Sequence, residues 1–299
     1  MFQSFPIQYI EPVFRPPSEA RSLIFQVTNG CSWNQCTYCD MYTDTQKKFR
    51  PRRESEVLHE IRQAAESGME PRRVFLADGD ALVLSMRRLR NILQEIRCSL
   101  PSVTRVGSYC LPSNLKNKTD EELEELRELG LKIIYVGAES GDDEVLRQVN
   151  KGETFATTVD VLIRAKAAGL KTSVMILNGL AGKAASERHA IASARLVNEA
   201  QPDYLATLVL TFYREREKFD HGFDQPFVDL STLELCQEMQ WLLSHTELEN
   251  TVFRSDHASN HLVLKGVLGR DKGKLLQQVE HAIDYYRHHR ESESSGRGF

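Results

Sequence analysis

Short apolar runs alternate with longer amphipathic stretches along most of the chain. Within 54–67, apolar residues recur at helical spacing, as Val57, Leu58 and Ile61 show, and comparable stretches follow the later apolar runs. The apolar runs themselves are short and end in glycine-rich or polar turns, which is typical of buried strands. The predicted strands are Leu23–Thr28, Arg73–Ala77, Ser102–Cys110, Lys132–Val136, Thr172–Leu177 and Tyr204–Phe212.

The order of these elements predicts the fold class. Strand and helix alternate about six times, which indicates parallel β-α-β units and an α/β protein. We expect a partial (β/α)6 barrel, similar to the (β/α)8 barrel, with its site at the carboxyl ends of the strands. A doubly wound open sheet is the structural alternative. It would need a GxGxxG turn after the first strand, where this chain has cysteines.

We expect three segments along the chain. An N-terminal arm, 1–20, is extended because its prolines discourage helix and sheet alike. The barrel occupies 21–215. A mainly helical C-terminal extension, 216–299, contains a strongly amphipathic helix over Asp271–Arg287 and ends in a Ser- and Gly-rich tail, Glu291–Phe299, that we expect to be disordered.

Composition and charge exclude some classes of protein. The 299 residues have an ordinary globular composition, and the net charge of -4 gives no sign of nucleic-acid binding. No apolar run approaches the roughly 20 residues of a membrane span, and the chain does not begin like a signal peptide. Six cysteines in a chain of this length suggest a reducing compartment, so we expect a cytoplasmic protein without membrane contact.

Three of the cysteines, Cys31, Cys36 and Cys39, follow the first predicted strand at close spacing. Thiolates are the usual ligands of iron–sulfur clusters, and a cubane cluster takes a ligand on each iron. Three local thiolates leave one iron open to an exogenous molecule. A disulfide framework is disfavoured by the odd count and the expected compartment. A structural zinc site normally takes four protein ligands, and no obvious fourth is present.

The segment Cys31-Ser-Trp-Asn-Gln-Cys36-Thr-Tyr-Cys39 resembles the cluster loop of radical S-adenosylmethionine (SAM) enzymes. That family's usual spacing is CxxxCxxC with an aromatic residue before the last cysteine, and Tyr38 matches the aromatic. The first gap differs, because it holds four residues, Ser32 to Gln35, in place of three. The resemblance covers Ser22–Phe212. It implies a [4Fe-4S] cluster on the three cysteines, with SAM bound at the open iron.

The resemblance also implies SAM contacts after the second strand. Asp78, Gly79 and Asp80 stand where the family has a glycine-rich acidic turn that meets the SAM ammonium, although Asp replaces the more usual Gly and Glu. Gly79 allows a close backbone approach. The alternative is a plain turn, in which Asp and Gly are common.

Two later strand exits carry further implied contacts. Glu139 and Ser140 stand where the family meets the ribose or the polar end of SAM, and Gly179 lies in a turn that approaches the adenine or methionine portion. The alternative for Glu139 is a charge at a helix N-terminus, favoured by the helix dipole. We expect Lys151 to be exposed.

Two interpretations of Cys110, which ends the third predicted strand, stay open. It shares an alternating strand face with Thr104, Val106 and Ser108, whereas the other face carries Arg105, which is costly to bury unpaired. We therefore expect the small face inside the barrel, which would place Cys110 near substrate, where it could donate a hydrogen atom or touch substrate. Simple packing is the alternative, as it is for the other two cysteines, Cys98 and Cys236.

The C-terminal extension adds one polar segment. Thr251–Arg254 is predicted as a short edge strand, and Arg254–Asn260 either covers the barrel mouth or caps local turns.

The reaction that the resemblance implies is reductive cleavage of SAM. An electron from the reduced cluster breaks the C5′–S bond, and the 5′-deoxyadenosyl radical abstracts hydrogen from an unidentified small-molecule substrate. An external donor such as flavodoxin or ferredoxin is implied. The alternatives are a non-catalytic iron–sulfur or zinc protein that senses or scaffolds, and a radical SAM methyltransferase or methylthiotransferase. The last usually needs a second cluster, for which the chain has no second group of cysteines.

Overall fold

The computed structural model describes residues 6–212 and 216–295. The strands in these ranges are β1 Leu23–Gln26, β2 Thr28–Asn29, β3 Arg50–Pro51, β4 Arg73–Ala77, β5 Arg105–Tyr109, β6 Leu131–Glu139, β7 Lys171–Asn178, β8 Tyr204–Val209, β9 Val252–Ser255 and β10 Leu264–Val267. The helices are α1 Glu54–Glu66, α2 Met86–Ser99, α3 Pro112–Leu115, α4 Asp120–Glu128, α5 Asp143–Gln148, α6 Phe155–Ala167, α7 Gly182–Ala200, α8 Glu217–Asp220, α9 Thr232–His245 and α10 Lys272–Ser295.

Eight strands form one sheet, in the order β1-β4-β5-β6-β7-β8-β9-β10. The pairs β1–β4, β4–β5, β5–β6 and β8–β9 are parallel, whereas β9–β10 is antiparallel. The two short strands β2 and β3 pair with each other. The sheet confirms the predicted α/β class. Its strands follow one another without the reversal of a doubly wound sheet, which favours the barrel type of order.

Local sequence signals explain many of the elements. Residues Val74–Ala77 of β4 are buried without interruption, as expected for a strand covered on both faces. The capping box predicted before α4 is present: Thr119 Oγ1 accepts a hydrogen bond from the Glu122 amide, and Glu122 Oε2 accepts one from the Thr119 amide. These contacts satisfy two donors that a helix start leaves without partners.

The C-terminal part differs from the expectation in two respects. The predicted edge strand is β9, but it is not at the edge, because the unpredicted strand β10 pairs with it. Helix α10 also continues to Ser295, beyond the predicted helix end at Arg287. Disorder of the tail Glu291–Phe299 stays a prediction. The tail beyond Ser295 lies outside the described residues.

The chain divides into two compact units. The first ends at Gly137 and adds Val161–Ser173; the second consists of Ala138–Asp160 and the chain from Val174 onward. The predicted boundaries of arm, barrel and extension stay predictions. Within the described ranges, no helix is both long enough and apolar enough to cross a membrane.

In the first unit, the N-terminal arm covers one face of β5. The fully buried Glu19 pairs with Arg105 at 2.5 Å and accepts a hydrogen bond of 2.5 Å from the Tyr135 hydroxyl. Gly107 lies against the same carboxylate, since an added Cβ would be 3.2 Å from Glu19 Oε1. The premise that Arg105 would be buried without a partner is therefore wrong. The argument that placed the Cys110 face toward the barrel interior loses its basis.

Candidate active site

The three predicted cluster cysteines lie on the loop between β2 and β3. Cys31, Cys36 and Cys39 are each half-buried, as is Tyr38 of the same motif. None of the cysteines forms a disulfide. Across 6–212 and 216–295, no three His, Cys, Asp or Glu side chains are gathered into a group that would hold a metal ion.

The donor set suits an iron–sulfur cluster. Soft thiolates are the ligands such clusters take, and half-buried thiols on one loop can be reached from solvent. Burial raises the pKa of Cys31 to about 11, and the negative charge of Asp80 adds to the shift. The thiol is thus protonated at neutral pH in the metal-free chain, and cluster binding would release its proton.

Asp78 and Asp80 hold the backbone on either side of Cys31. Asp78 Oδ2 accepts a hydrogen bond of 3.1 Å from the Gly30 amide. Asp80 Oδ1 accepts one of 2.8 Å from the Ser32 amide, and its other oxygen accepts a short one from the Ser32 hydroxyl. The two carboxylates therefore bracket the first cluster cysteine, which sequence reasoning did not predict.

Gly79, between the two carboxylates, lies directly against the cysteine. Its amide donates to the Gly30 carbonyl at 3.1 Å. A Cβ added at Gly79 would lie 2.8 Å from Cys31 Cβ and 2.9 Å from the Tyr42 ring. The close approach predicted for Gly79 is present, but the partner in the structure is the cysteine loop.

Both carboxylates are fully buried, so their charges need partners. Asp78 pairs with Lys47 Nζ at 2.7 Å, and both side chains are 0% exposed. Gln26 donates to the same oxygen at 3.3 Å. Burial raises the pKa of Asp78, and the Lys47 ammonium opposes the shift. One carboxylate oxygen of Asp78, Oδ2, thus contacts the Gly30 amide, Gln26 and Lys47. Contact between Asp78 and SAM stays a prediction.

A second set of contacts holds the chain around Asp80. Asn114 Nδ2 donates to Asp80 Oδ2 at 3.1 Å. Nearby, the buried Lys118 ammonium donates to three backbone carbonyls, those of Leu82, Leu84 and Asn114. Burial lowers the pKa of Lys118. The sequence signal for this role was weak, because a lysine between two helices is usually solvent-exposed.

Cys110 is buried at 2% exposure, and its thiol donates to the Leu111 carbonyl at 3.2 Å. This burial is what the packing alternative expects of a free cysteine. A catalytic role for Cys110 stays a prediction.

In the second unit, Glu139 ends β6 with a left-handed backbone, at φ +65°. Left-handed residues other than glycine are strained and cluster at functional sites. The Glu139 carboxylate lies 3.5 Å from Lys151 Nζ, and Lys151 is only 5% exposed. The expectation that Lys151 would be exposed is therefore wrong. A lysine can be buried here because a carboxylate lies beside it.

The loop after Glu139 packs on a polar stripe of α7. Ser140 Oγ and His189 Nδ1 are 2.8 Å apart, and the same hydroxyl accepts from the Asp142 amide at 3.0 Å. The Gly141 amide donates to Ser193 Oγ at 2.9 Å. Ser140 is thus fully buried with its hydroxyl engaged, and its contact with SAM stays a prediction. The spacing of His189 and Ser193 on one helix face was the available signal.

Gly179 begins the turn after β7, with φ +82°. Its amide donates a hydrogen bond of 2.7 Å to Glu238 Oε1 on α9. Sequence reasoning missed Glu238. The signal was an acidic residue on the buried face of a helix, among Leu235, Met239 and Leu242.

The polar segment near β9 makes local contacts. Ser259 Oγ accepts from the Val209 amide at 3.1 Å and lies 2.8 Å from His257 Nδ1. Asn260 Nδ2 donates to the Thr207 carbonyl at 2.8 Å. These contacts tie the segment to the end of β8 and favour the turn-capping interpretation.

Comparison with known families places the chain among radical SAM enzymes. Residues 25–193 match the model of the Radical SAM superfamily. The match covers more than half of the chain, which therefore belongs to this superfamily. Its members use a [4Fe-4S] cluster together with SAM, generally with an electron donor and a small-molecule substrate.

One curated relative is a protein of Methanocaldococcus jannaschii that is provisionally named a methylthiotransferase. The two are 23% identical over 155 residues, which make up 51% of this chain and 34% of the relative. The chain thus spans about a third of that relative's length.

Three solved structures have a similar fold. Methylornithine synthase aligns with a TM-score of 0.52 at 17% identity, over 86% of this chain and 68% of its own. A radical SAM methyltransferase of Kitasatospora setae was solved with cobalamin and a [4Fe-4S] cluster. It aligns with a TM-score of 0.55 at 18% identity, over 90% of this chain and 54% of its own. Coproporphyrinogen III oxidase of Escherichia coli aligns with a TM-score of 0.57 at 17% identity, over 75% of this chain and 54% of its own. This likeness shows the fold, the predicted partial barrel.

Proposed function

We propose that the chain is a radical SAM enzyme with its cluster on Cys31, Cys36 and Cys39. When bound, the cluster and SAM would supply reductive cleavage of SAM to a 5′-deoxyadenosyl radical, which abstracts hydrogen from a small-molecule substrate. The chain's part is to hold the cofactors in place and to keep water out.

The observation that carries this proposal is the bracket around Cys31. Gly30 and Ser32 are each held by a buried carboxylate, and Gly79 fills the space behind the cysteine. Two buried carboxylates are expensive to place beside a thiol unless the loop geometry matters. A loop with only a structural turn would not need them.

Glu139 is the residue of the second unit that we propose for direct contact with SAM. A carboxylate can accept hydrogen bonds from both hydroxyls of a ribose. Its left-handed backbone fixes the direction of its side chain, and Lys151 Nζ lies 3.5 Å from its carboxylate. Gly179 is proposed to let the backbone approach SAM at the end of β7, as a glycine with positive φ allows.

Anaerobic reconstitution with iron and sulfide tests the cluster assignment. Wild-type protein should gain the absorbance at about 400 nm that a thiolate-bound cluster gives, and each single cysteine-to-alanine variant should lose most of it. Cys98→Ala is the matched control, because Cys98 is exposed on α2 outside the loop and should leave the cluster intact. A full cluster in the Cys31, Cys36 and Cys39 triple variant would refute the assignment.

Methyl transfer is the second candidate function. It is favoured by the methyltransferase among the similar structures, whereas the name of the M. jannaschii relative points to methylthio transfer. S-adenosylhomocysteine as the main product of SAM would support it, whereas 5′-deoxyadenosine alone would support hydrogen abstraction. Methylthio transfer is less favoured, because the remaining cysteines are far apart in sequence and Cys110 and Cys236 are buried.

An external flavodoxin or ferredoxin as the electron donor completes the proposal, since the sequence has no second group of cysteines for an electron-relay cluster. A cytoplasmic location belongs to the same proposal, because half-buried cluster thiols that solvent can reach need a compartment that keeps them reduced.

A further inference from the structure

Glu238 is a carboxylate of α9 that lies in apolar surroundings. It is 1% exposed, and the same helix face carries Leu235, Met239 and Leu242. Burial raises the pKa of Glu238 to about 7. A buried carboxylate is costly, so its hydrogen-bond partners show what it serves.

Both oxygens of Glu238 have a partner in the chain after β7. Oε1 accepts the Gly179 amide at 2.7 Å, and Oε2 accepts the Ser186 hydroxyl at 2.5 Å. The carboxylate therefore joins the turn that leaves β7 to the first turns of α7. The Leu180 and Gly182 amides donate to backbone carbonyls of the same turn, whereas the Gly179 amide takes its acceptor from Glu238.

His189 lies beside Glu238 and hydrogen-bonds Ser140 of the other turn, whereas its separation from Glu238 is too long for a hydrogen bond. Its Nε2 lies 4.0 Å from Glu238 Oε1, and its Nδ1 lies 2.8 Å from Ser140 Oγ. Burial lowers the pKa of His189 to about 4, although the charge of Asp142 and a hydrogen bond with the Leu177 backbone act to raise it. The ring is thus neutral near pH 7, and with its Nε2 protonated it accepts the Ser140 hydroxyl at Nδ1. That hydroxyl in turn accepts the Asp142 amide.

We propose that Glu238 is a positioning residue for SAM binding: it holds the Gly179 turn directly, and beside it the neutral His189 holds Ser140 in the turn that carries Glu139. The proposal rests on the proposed function of those two turns. It makes helix α9, from the part of the chain beyond the family match, a component of the cofactor site.

The first test is hydrogen exchange in the cluster-free protein. Glu238→Leu removes the acceptor, and amides of the Gly179 turn should exchange about ten- to a hundredfold faster, the range for a lost hydrogen bond to a charged group. Glu238→Gln keeps a carbonyl oxygen for the Gly179 amide and should restore most of the protection. Thr246→Val is the matched control, since it removes another buried hydrogen bond at the end of α9. Unchanged exchange in Glu238→Leu would overturn the proposal.

The second test separates positioning from stability. In reconstituted enzyme, Glu238→Leu should raise the KM for SAM at least tenfold with a smaller change in kcat, Glu238→Gln should lie near wild type, and Thr246→Val should leave KM unchanged. Equal losses in Glu238→Leu and Thr246→Val would assign Glu238 to general stability and overturn the proposal. If wild type itself does not cleave SAM, the proposed function fails, while the exchange experiment still decides whether Glu238 holds the turn.

Discussion

Removal of the Asp80 carboxylate should weaken cluster assembly before it weakens the fold. Asp80 accepts from the Ser32 amide, the Ser32 hydroxyl and Asn114 Nδ2. The hydroxyl and the Asn114 amide can turn to other partners, but the Ser32 amide is fixed by the backbone next to Cys31. Leaving one buried donor unsatisfied costs about 1–3 kcal/mol. In Asp80→Ala the ordered loop should therefore be populated about fivefold to a hundredfold less.

The assay is an anaerobic titration with iron and sulfide, read as cluster absorbance per folded chain. The titration midpoint for Asp80→Ala should move to a higher iron concentration than that of wild type. Asp80→Asn keeps an acceptor for the Ser32 amide, so its midpoint should lie between the other two. Glu19→Ala is the matched control, because Glu19 is equally buried in the same unit and bonds to Ser22, Arg105 and Tyr135. It should lower the melting temperature without moving the midpoint.

An unchanged midpoint for Asp80→Ala would refute this reasoning, because it would show that Asp80 is not needed for cluster assembly. If the same variant also bound SAM more weakly, the result would support the direct contact between Asp80 and SAM that the family resemblance implies.

Three further changes have definite expected outcomes. Gly79→Ala should reduce the cluster content of reconstituted protein, because the new methyl group would displace Cys31. Cluster absorbance measures this content, and a value equal to that of wild type would contradict the close packing of Gly79 on Cys31. As pH drops from about 6.5 to about 4, wild type should lose on the order of 3 kcal/mol of stability relative to His189→Gln in denaturant titrations, since the buried His189 favours the neutral form; the raised pKa of Glu238 acts in the opposite direction but is common to both proteins and cancels in the difference. Cys110→Ser should lower the melting temperature modestly and leave the ratio of product to 5′-deoxyadenosine unchanged, and a changed ratio would restore its catalytic role.

The parts of the fold that depend on neighbours in sequence were predictable. Each apolar strand run, the α4 capping box and the cysteine loop spans no more than about ten residues, so local sequence patterns were enough to predict them. Strand β10 was missed because Leu264–Val267 is short and becomes a strand through pairing with β9. Such pairing is a tertiary effect that no local period records.

The polar side chains show the same limit. Arg105 was assigned to a face by its burial cost alone, and the carboxylate that offsets that cost, Glu19, lies 86 residues away. Lys151 was expected in solvent for the same reason, although Glu139 is beside it. Glu238 could have been noticed as an acid on an apolar helix face, but its partner Gly179 is 59 residues distant. Sequence reasoning located the strand exits, and only the structure shows which charges meet there.

The most direct measurement of the central claim is the formation of 5′-deoxyadenosine. Reconstituted protein, dithionite and SAM are incubated without oxygen, and the nucleoside is measured by mass spectrometry against the variant with Cys31, Cys36 and Cys39 all changed to alanine. Wild type should form 5′-deoxyadenosine and the variant should form none above the level without protein. Equal amounts from both, or none from wild type with a full cluster, would contradict the assignment of this chain as a SAM-cleaving enzyme.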